Sequence, residues 1–415
     1  MACVENSSIK NAAGPTWSDV PVGPLDPILA VAEAFKASTS PLKMNLGVGA
    51  YRDEDGKPFV LPSVRQAEAA IVAAKYDKEY IGTTGLPEFT KRAALLAYGS
   101  DSAPLKEERI AITQSLSGTG ALRIGCTFLQ RFYPHSTSVY VPTPTWGNHI
   151  PMFKEASFEI KRYRYFDKKT VGLDATGMLE DLKQAPDRSI ILLHACAHNP
   201  TGVDPTHEQW KEIAQVIKGK GHFSFFDMAY QGFASGDVER DAFAPRYFVS
   251  QGLEIVLSQS FSKIMGLYGE RVGAFSVICS SQQEKSKVES QFELLIRLMY
   301  LNPPVHGARI ASMILSDPAL YKQWLGEVKL MADRIIGMRT ALFDTLVDEL
   351  GSRRNWDHIK SQAGMFCFIG ISSEQVEQMA TKHDVYMTRD GRMSMAGITH
   401  HNVKHLAKAL HDVTK

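Results

Sequence analysis

Seven β-rich runs alternating with stretches of helical spacing constrain the fold of this chain more than any other feature of it. The runs occupy residues 109–116, 138–141, 158–165, 190–195, 222–227, 254–258 and 273–279. Apolar residues at helical spacing follow the first run at 121–132 and recur at 177–183, 208–219 and 241–251. This alternation predicts an α/β fold with a mainly parallel sheet, because parallel neighbours need a crossover long enough to hold a helix. Earlier in the chain, helical spacing covers 28–37, 63–74 and 86–98. After the last run, 365–371 and 385–387 read as strands and 403–413 as a closing helix.

In such a sheet, ligands gather beyond the carboxyl ends of the strands, so the residues that follow each run are the candidates for chemistry. After 109–116 comes Ser117-Gly118-Thr119-Gly120 and then a helix, an arrangement that turns unsatisfied N–H groups towards an anion. After 138–141 comes PTPTW, with Trp146 in a rigid loop, and after 190–195 comes His198-Asn199-Pro200-Thr201-Gly202. Asp227 ends its own run and Tyr230 follows shortly after. The run at 254–258 continues through Ser260 to Lys263 within EIVLSQSFSKIMGLYGER, placing one amine where burial makes it nucleophilic. Gly47 and Gly49, in MNLGVGA, let backbone approach a neighbour closely. Tyr80 stands in a loop.

Each of these residues has a plainer alternative. Trp146 fits a core position, Tyr80 fits packing, Asn199-Pro200 fits a turn, Asp227 fits a cap, and SGTG fits an ordinary turn into a helix. A dinucleotide site is disfavoured because the GxGxxG spacing breaks at Arg123 and no acidic residue ends the run at 138–141. His194 and His198 in HACAH lack the helical register that brings two rings to one metal ion. Ser260-Phe-Ser-Lys263 matches SxxK, but the SDN, KTG and GxSxG companions of serine acyl-enzymes are missing. The set as a whole is more specific than its members. A phosphate cradle, an aromatic plate, an amide, a carboxylate, a phenol, a hydroxyl and a lysine on one sheet edge are what pyridoxal 5'-phosphate (PLP) asks for.

Composition removes other classes. With 415 residues the chain has room for about two domains. Its 44% hydrophobic and 22% charged content is that of an ordinary soluble protein. A net charge of +1 provides no field to draw nucleic acid or an anionic membrane. The five cysteines (Cys3, Cys126, Cys196, Cys279, Cys367) are scattered and form no CxxC pair, which argues against a disulfide framework or zinc cluster and fits a reducing compartment. No apolar run approaches the ~18 residues that span a bilayer. The polar stretch at 1–14 reads as an arm outside the packed core; it has a lysine but no arginine, unlike a typical mitochondrial presequence.

SFSKIMGLYGERVG, HACAHNPTG, FFDMAYQGFASG, LSGTGALR and NLGVGAYRD resemble the motifs of the aspartate aminotransferases among the fold-type I PLP enzymes, and the likeness runs from residue 24 to the C-terminus. GPLDPILAVAEAFK, LPSVRQAEA and RYRYFDKKTVGLD are more similar to the mitochondrial than to the cytosolic isoform. The resemblance implies a large PLP-binding domain at 57–331 with a mainly parallel seven-stranded sheet. It also implies a smaller α/β domain from 15–56 and 332–415, a homodimer with shared active sites, and the mitochondrial matrix, with the cytoplasm as the alternative. Lys263 would be the Schiff-base lysine, Asp227 would pair with the pyridine nitrogen, and Tyr230 and Asn199 would bond the ring oxygen. Ser117, Gly118, Thr119, Ser260 and Arg271 would hold the phosphate, with Tyr80 arriving from the partner subunit, and Trp146 would lie over the ring. Arg392 would take the substrate α-carboxylate beside Gly49, Trp146 and Asn199, and Arg297 would reach across the interface to the side-chain carboxylate. Guanidinium suits both tasks because it binds a carboxylate bidentately. The implied reaction is transamination between L-aspartate and 2-oxoglutarate, giving oxaloacetate and L-glutamate; a broad-range aromatic and dicarboxylic aminotransferase is the alternative. Two departures stand out: Leu301 replaces the family's serine before Asn-Pro-Pro, and IGTT at 81–84 replaces a leucine-proline loop.

Overall fold

The computed structural model describes residues 17–23 and 27–415. The arm expected at 1–14 lies outside them. At the centre stands a seven-stranded sheet. Its strands are β1 (Ile110–Leu116), β2 (Ser138–Thr143), β3 (Glu159–Arg164), β4 (Ile190–His194), β5 (Phe223–Met228), β6 (Ile255–Ser260) and β7 (Val272–Ile278). Each matches one of the runs read from the sequence, with ends shifted by a residue or two, the usual uncertainty of an element boundary.

The spatial order is β1-β7-β6-β5-β4-β2-β3. All neighbours are parallel except β7, which is antiparallel to both β1 and β6. The reversal has a functional consequence. β7 starts where the other strands finish, with Val272 opposite Leu116 and Gly273 opposite Ser260. Arg271 is thereby delivered to the edge where β1 and β6 end.

Helices cover both faces, which is why β4, β6 and β7 are buried throughout and read as continuous rather than alternating apolar runs. Adjacent phenylalanines on β5 show the two layers. Phe225 meets Phe153 and Phe275 on the face covered by helices Ser117–Phe132 and Gln282–Met299. Phe226 meets Trp210 and Phe248 on the face covered by helices His207–Lys220 and Phe243–Ser250. Burying each ring contributes about 1.5–3 kcal/mol.

Outside this sheet, the two ends of the described chain are stitched together. Met44–Asn45 pairs in parallel with Val385–Tyr386, Phe366–Phe368 pairs with Arg392–Ser394, and the Ser394 N–H donates to Leu46 O at 2.7 Å. The closing helix occupies Val403–Val413, the range read from the sequence. Helices Gln282–Met299, His306–Ser316 and Pro318–Asp344 were not read there. The last has a local start signal, since Asp317 caps Ala319 and Leu320 just before Pro318. Its Trp324 indole donates to Ile264 O, near the end of β6, and its Arg339 guanidinium donates to Gly364 O and Phe366 O.

Candidate active site

The carboxyl edge of the sheet opens into a pocket lined by Ser117, Gly118, Thr119, Trp146, Asn199, Asp227, Tyr230, Ser260, Lys263 and Arg271. Ten residues named from the sequence, spread from Ser117 to Arg271, thus meet in one cavity. The sequence reading of SGTG as a turn ahead of a helix needs correction. The helix begins at Ser117 itself, whose backbone makes the turn alone with φ +62°. Arg271 also takes a left-handed backbone, φ +55°. Non-glycine residues rarely adopt that region, and when they do they cluster at functional sites. Ser117 Oγ lies 3.1 Å from Ser260 Oγ and 2.7 Å from Ser262 Oγ. Three hydroxyls, the first N–H groups of a 16-residue helix and one guanidinium therefore converge on a site suited to a phosphate. Gly273 allows this convergence, because a Cβ there would meet the Ser117 carbonyl carbon at 2.5 Å and Gln259 O at 2.6 Å.

Strand β5 runs one residue past Asp227, to Met228. Asp227 Oδ2 is 3.0 Å from His149 Nε2; Thr145 Oγ1 lies 2.8 Å from His149 Nδ1 and 3.2 Å from His194 Nε2; the Asn199 N–H donates to His194 Nδ1 at 3.3 Å. The ends of this chain fix its direction. A backbone N–H must donate, so His194 accepts through Nδ1 and donates through Nε2, and an ionised carboxylate must accept, so His149 donates to it through Nε2. Burial and the neighbouring His149 hold His194 down at about 3, consistent with a neutral ring. Burial acts to raise Asp227, but the His149 hydrogen bond, the neighbouring His149 and His194 rings and, least of all, Lys263 together outweigh it and keep the carboxyl below its usual range.

Lys263 is pushed the other way. Burial lowers its affinity for a proton; Asp227 opposes this and Arg271 adds to it. Its Nζ lies 5.6 Å from the centre of the Tyr230 ring. Burial also raises the Tyr230 phenol, although Arg392 counters it. Trp146 stands edge-on to His149 at 5.2 Å.

The sequence reading did not expect the HACAH rings to come together, but they do, with centroids 4.1 Å apart and planes tilted by 39°. They form part of a stack continued by Tyr165 over His198 at 4.0 Å. Among the described residues no three His, Cys, Asp or Glu side chains are placed to hold a metal ion.

Arg392 is buried at the start of a short strand, its guanidinium 4.3 Å from the centre of the Phe366 ring and 3.5 Å from Asn199 Oδ1. Gly49 faces the same ring, with its Cβ position 3.7 Å from Phe366 Cζ. Tyr80 and Arg297 are not brought to this pocket. Tyr80 is 77% exposed, and Arg297 is exposed in the last turn of helix Gln282–Met299, beside Leu298, Met299 and Leu301.

Sequence reasoning missed His149, Thr145, Ser262, Tyr268 and Gly273. His149 closely follows Trp146 and Ser262 directly precedes Lys263, so adjacency to named residues was the available signal. Tyr268 lines the pocket, accepts the Tyr51 N–H at 2.8 Å through its hydroxyl, and accepts an Arg271 N–H through its carbonyl.

The donor set fits PLP: a cradle of hydroxyls and N–H groups with a cation, an ionised carboxylate deep in the pocket, and a buried lysine that disfavours its proton. Comparison with known proteins agrees. Residues 41–410 match the family model described as aminotransferase class I and II. The chain is 58% identical over 399 residues to the mitochondrial aspartate aminotransferase of Gallus gallus, covering 96% of this chain and 94% of that one. Among solved structures, the broad specificity aminotransferase of Leishmania mexicana is 43% identical with TM-score 0.93, covering 97% of this chain and 99% of that one. The aromatic-amino-acid aminotransferase of Burkholderia pseudomallei, covalently bound to PLP, is 40% identical with TM-score 0.94, covering 97% and 100%.

Proposed function

This chain belongs to the class I and II aminotransferases, and from that premise we propose how its residues divide the work. The enzyme is PLP-dependent and transfers the amino group of L-aspartate to 2-oxoglutarate, giving oxaloacetate and L-glutamate in a ping-pong cycle. The observation that carries the assignment of roles is the convergence on one pocket of Asp227, whose carboxyl is held below its usual range, and Lys263, whose amine burial pushes below its usual range.

Held through the Lys263 amine, PLP supplies an electron sink for the charge left when the substrate Cα loses its proton. Ser117, Thr119, Ser260, Ser262 and Arg271 bind the phosphate, and the N-terminus of helix Ser117–Phe132 adds its dipole. Asp227, kept anionic by the His149 chain, holds a proton on the pyridine nitrogen. Asn199, Tyr230 and Trp146, which line the same pocket, would hold and orient the ring. The Lys263 amine moves the proton at the substrate Cα, a role that needs a neutral nitrogen near pH 7 and that burial favours.

Arg392 takes the α-carboxylate, positioned by Asn199 and Phe366. Arg297 takes the side-chain carboxylate of substrate bound in a second subunit, and Tyr80 reaches that subunit's phosphate. Their exposure, together with the apolar patch of Leu294, Leu298 and Leu301, supports a homodimer with shared sites. A division into 57–331 and 15–56 with 332–415 makes helix Pro318–Asp344 an element common to both parts. Movement of the second part would bring Arg392 over the substrate and exclude water. The likeness to a mitochondrial relative supports a matrix location.

Spectral titration of the PLP-loaded enzyme tests this reading. Aspartate should bleach the cofactor absorbance and 2-oxoglutarate should restore it. A response to phenylalanine as strong as that to aspartate would overturn dicarboxylate preference in favour of the broad-range alternative.

A further inference from the structure

Gln114 lies where the segments carrying Tyr80 and Arg297 meet. Its side chain is fully buried in β1. The amide oxygen accepts the Leu86 N–H at 3.0 Å, the amide nitrogen donates to Pro304 O at 2.8 Å, and the backbone N–H donates to Thr84 O at 2.8 Å. Gly85 permits the approach: its φ is +96°, and a Cβ there would come within 2.2 Å of Gln114 Cβ. The amide therefore serves two segments at once, one through each of its polar atoms.

Both segments lead to exposed residues. Thr84 follows Tyr80 through a turn in which the Gly85 N–H donates to Gly82 O at 2.9 Å. Pro304 follows Arg297 through N–H groups of Tyr300 and Leu301 that donate to Ile296 O at 2.9 and 3.2 Å. A second tie lies on the other side of Tyr80, where the Arg309 guanidinium covers the Tyr76 ring at 4.5 Å and donates to Asp77 O at 3.3 Å. The Tyr80 stretch is thus anchored on both sides to the segment that follows Arg297. The inner anchor, Gln114, stands on the strand that leads into Ser117 but does not line the pocket.

We propose that Gln114 is a positioning residue for the active site of the partner subunit. It holds Tyr80 and Arg297 as one unit, in register with the strand that carries its own subunit's phosphate cradle. This rests on the shared-site dimer reading, so the test must separate the two.

Hybrid dimers, co-expressed with two affinity tags and loaded with PLP, do so. In the control hybrid a Lys263→Ala subunit pairs with an Arg297→Ala subunit. One site then has both Lys263 and a partner arginine, and about half of wild-type activity is expected where sites are shared. No activity in this control would sink the dimer reading itself. Next, Gln114→Met is added to the Lys263→Ala subunit, which supplies only Arg297 and Tyr80 to the live site. Aspartate kcat/KM is expected to fall about tenfold or more, because displacing a positioned group by about 1 Å costs on the order of 10²-fold. Binding of succinate, an unreactive dicarboxylate, followed by calorimetry, should weaken in parallel. The same substitution in the Arg297→Ala subunit, which supplies Lys263 and Ser117, should leave the control value within about twofold on the same argument. Equal losses in both arrangements, a larger loss in the second, or no loss in either would overturn the proposal. Gln114→Glu, which keeps the acceptor for Leu86 but not the donor for Pro304, provides the same comparison where Gln114→Met fails to assemble.

Discussion

His149 meets Asp227 through Nε2 at 3.0 Å and is itself wholly buried, so the carboxylate proposed to meet the cofactor is held by a ring without access to solvent. Replacing His149 with Phe keeps the volume and removes the donor. A hydrogen bond to a charged group contributes about 1.5–3 kcal/mol, so kcat should fall about 10- to 100-fold, and PLP should dissociate more readily because Asp227 protonates at higher pH. Stopped-flow half-reactions with aspartate measure the first effect. Unchanged rates would mean that Asp227 keeps its charge without this partner.

Lys263 yields a pH prediction for the cofactor-free protein. Its folded-state pKa is depressed below the ordinary lysine value of 10.5, mainly by burial. The ammonium is therefore a cost to folding that is fully present below the folded pKa. It fades as pH rises between the folded and unfolded values, and it is absent above them. Lys263→Met should raise the Tm of the cofactor-free protein at pH 7, and the gain should shrink towards pH 10.5. A gain constant across that range would show that the amine is not penalised by its surroundings.

What the sequence could show of this site depended on how locally each residue's reason is encoded. Lys263, Asp227 and the Ser117 cradle follow strands, and the position of a strand end is written in its own apolar run. His149 gave no such signal. It opens a helix after a loop, and only the three-dimensional approach of β2 to β5 across β4 brings it to Asp227. Gly273 was equally silent, since its need for a missing side chain comes from β7 running against β1 and β6, a reversal that strand periodicity does not record. Helix Pro318–Asp344 buries one stripe at helical spacing, Trp324, Val328, Met331, Ile335, Met338 and Leu342, but exposed Leu330 and Ile336 and buried Arg339 blur that stripe in the sequence.

Gly273→Ala tests the cradle directly. The new Cβ would meet the Ser117 carbonyl carbon and Gln259 O, backbone atoms that cannot turn aside. Overpacking of this kind costs about 1–3 kcal/mol, and here it falls on the residue that starts the helix proposed to bind the phosphate. PLP affinity, followed by fluorescence, should drop about tenfold or more by the same conversion. Gly269→Ala in the nearby loop, where a Cβ meets nothing within 4 Å, should bind PLP as the unaltered enzyme does. Equal effects of the two substitutions would remove Gly273 from the account.

On the proposed roles Arg297 and Arg392 would divide substrate recognition, and their surroundings predict different losses. Arg392 is buried, backed by the Phe366 ring and Asn199, and would contact a carboxylate common to every amino acid. Arg392→Ala should therefore weaken all substrates together. Arg297 is exposed and would contact only the side chain of a dicarboxylate. Arg297→Ala should cost about 2–5 kcal/mol of the preference for aspartate over alanine, the usual loss when one member of a hydrogen-bonded charge pair is truncated. Leu301 sharpens the comparison, because it places an apolar side chain, 41% exposed, close to Arg297 in the sequence. An apolar neighbour at the entrance favours apolar substrates once the arginine is gone, so kcat/KM for phenylalanine should rise in Arg297→Ala and fall back in Arg297→Ala/Leu301→Ser. A panel of aspartate, alanine and phenylalanine, measured as kcat/KM for each variant, decides the matter. An unaltered aspartate-to-alanine ratio in Arg297→Ala would show that another residue reads the side-chain carboxylate.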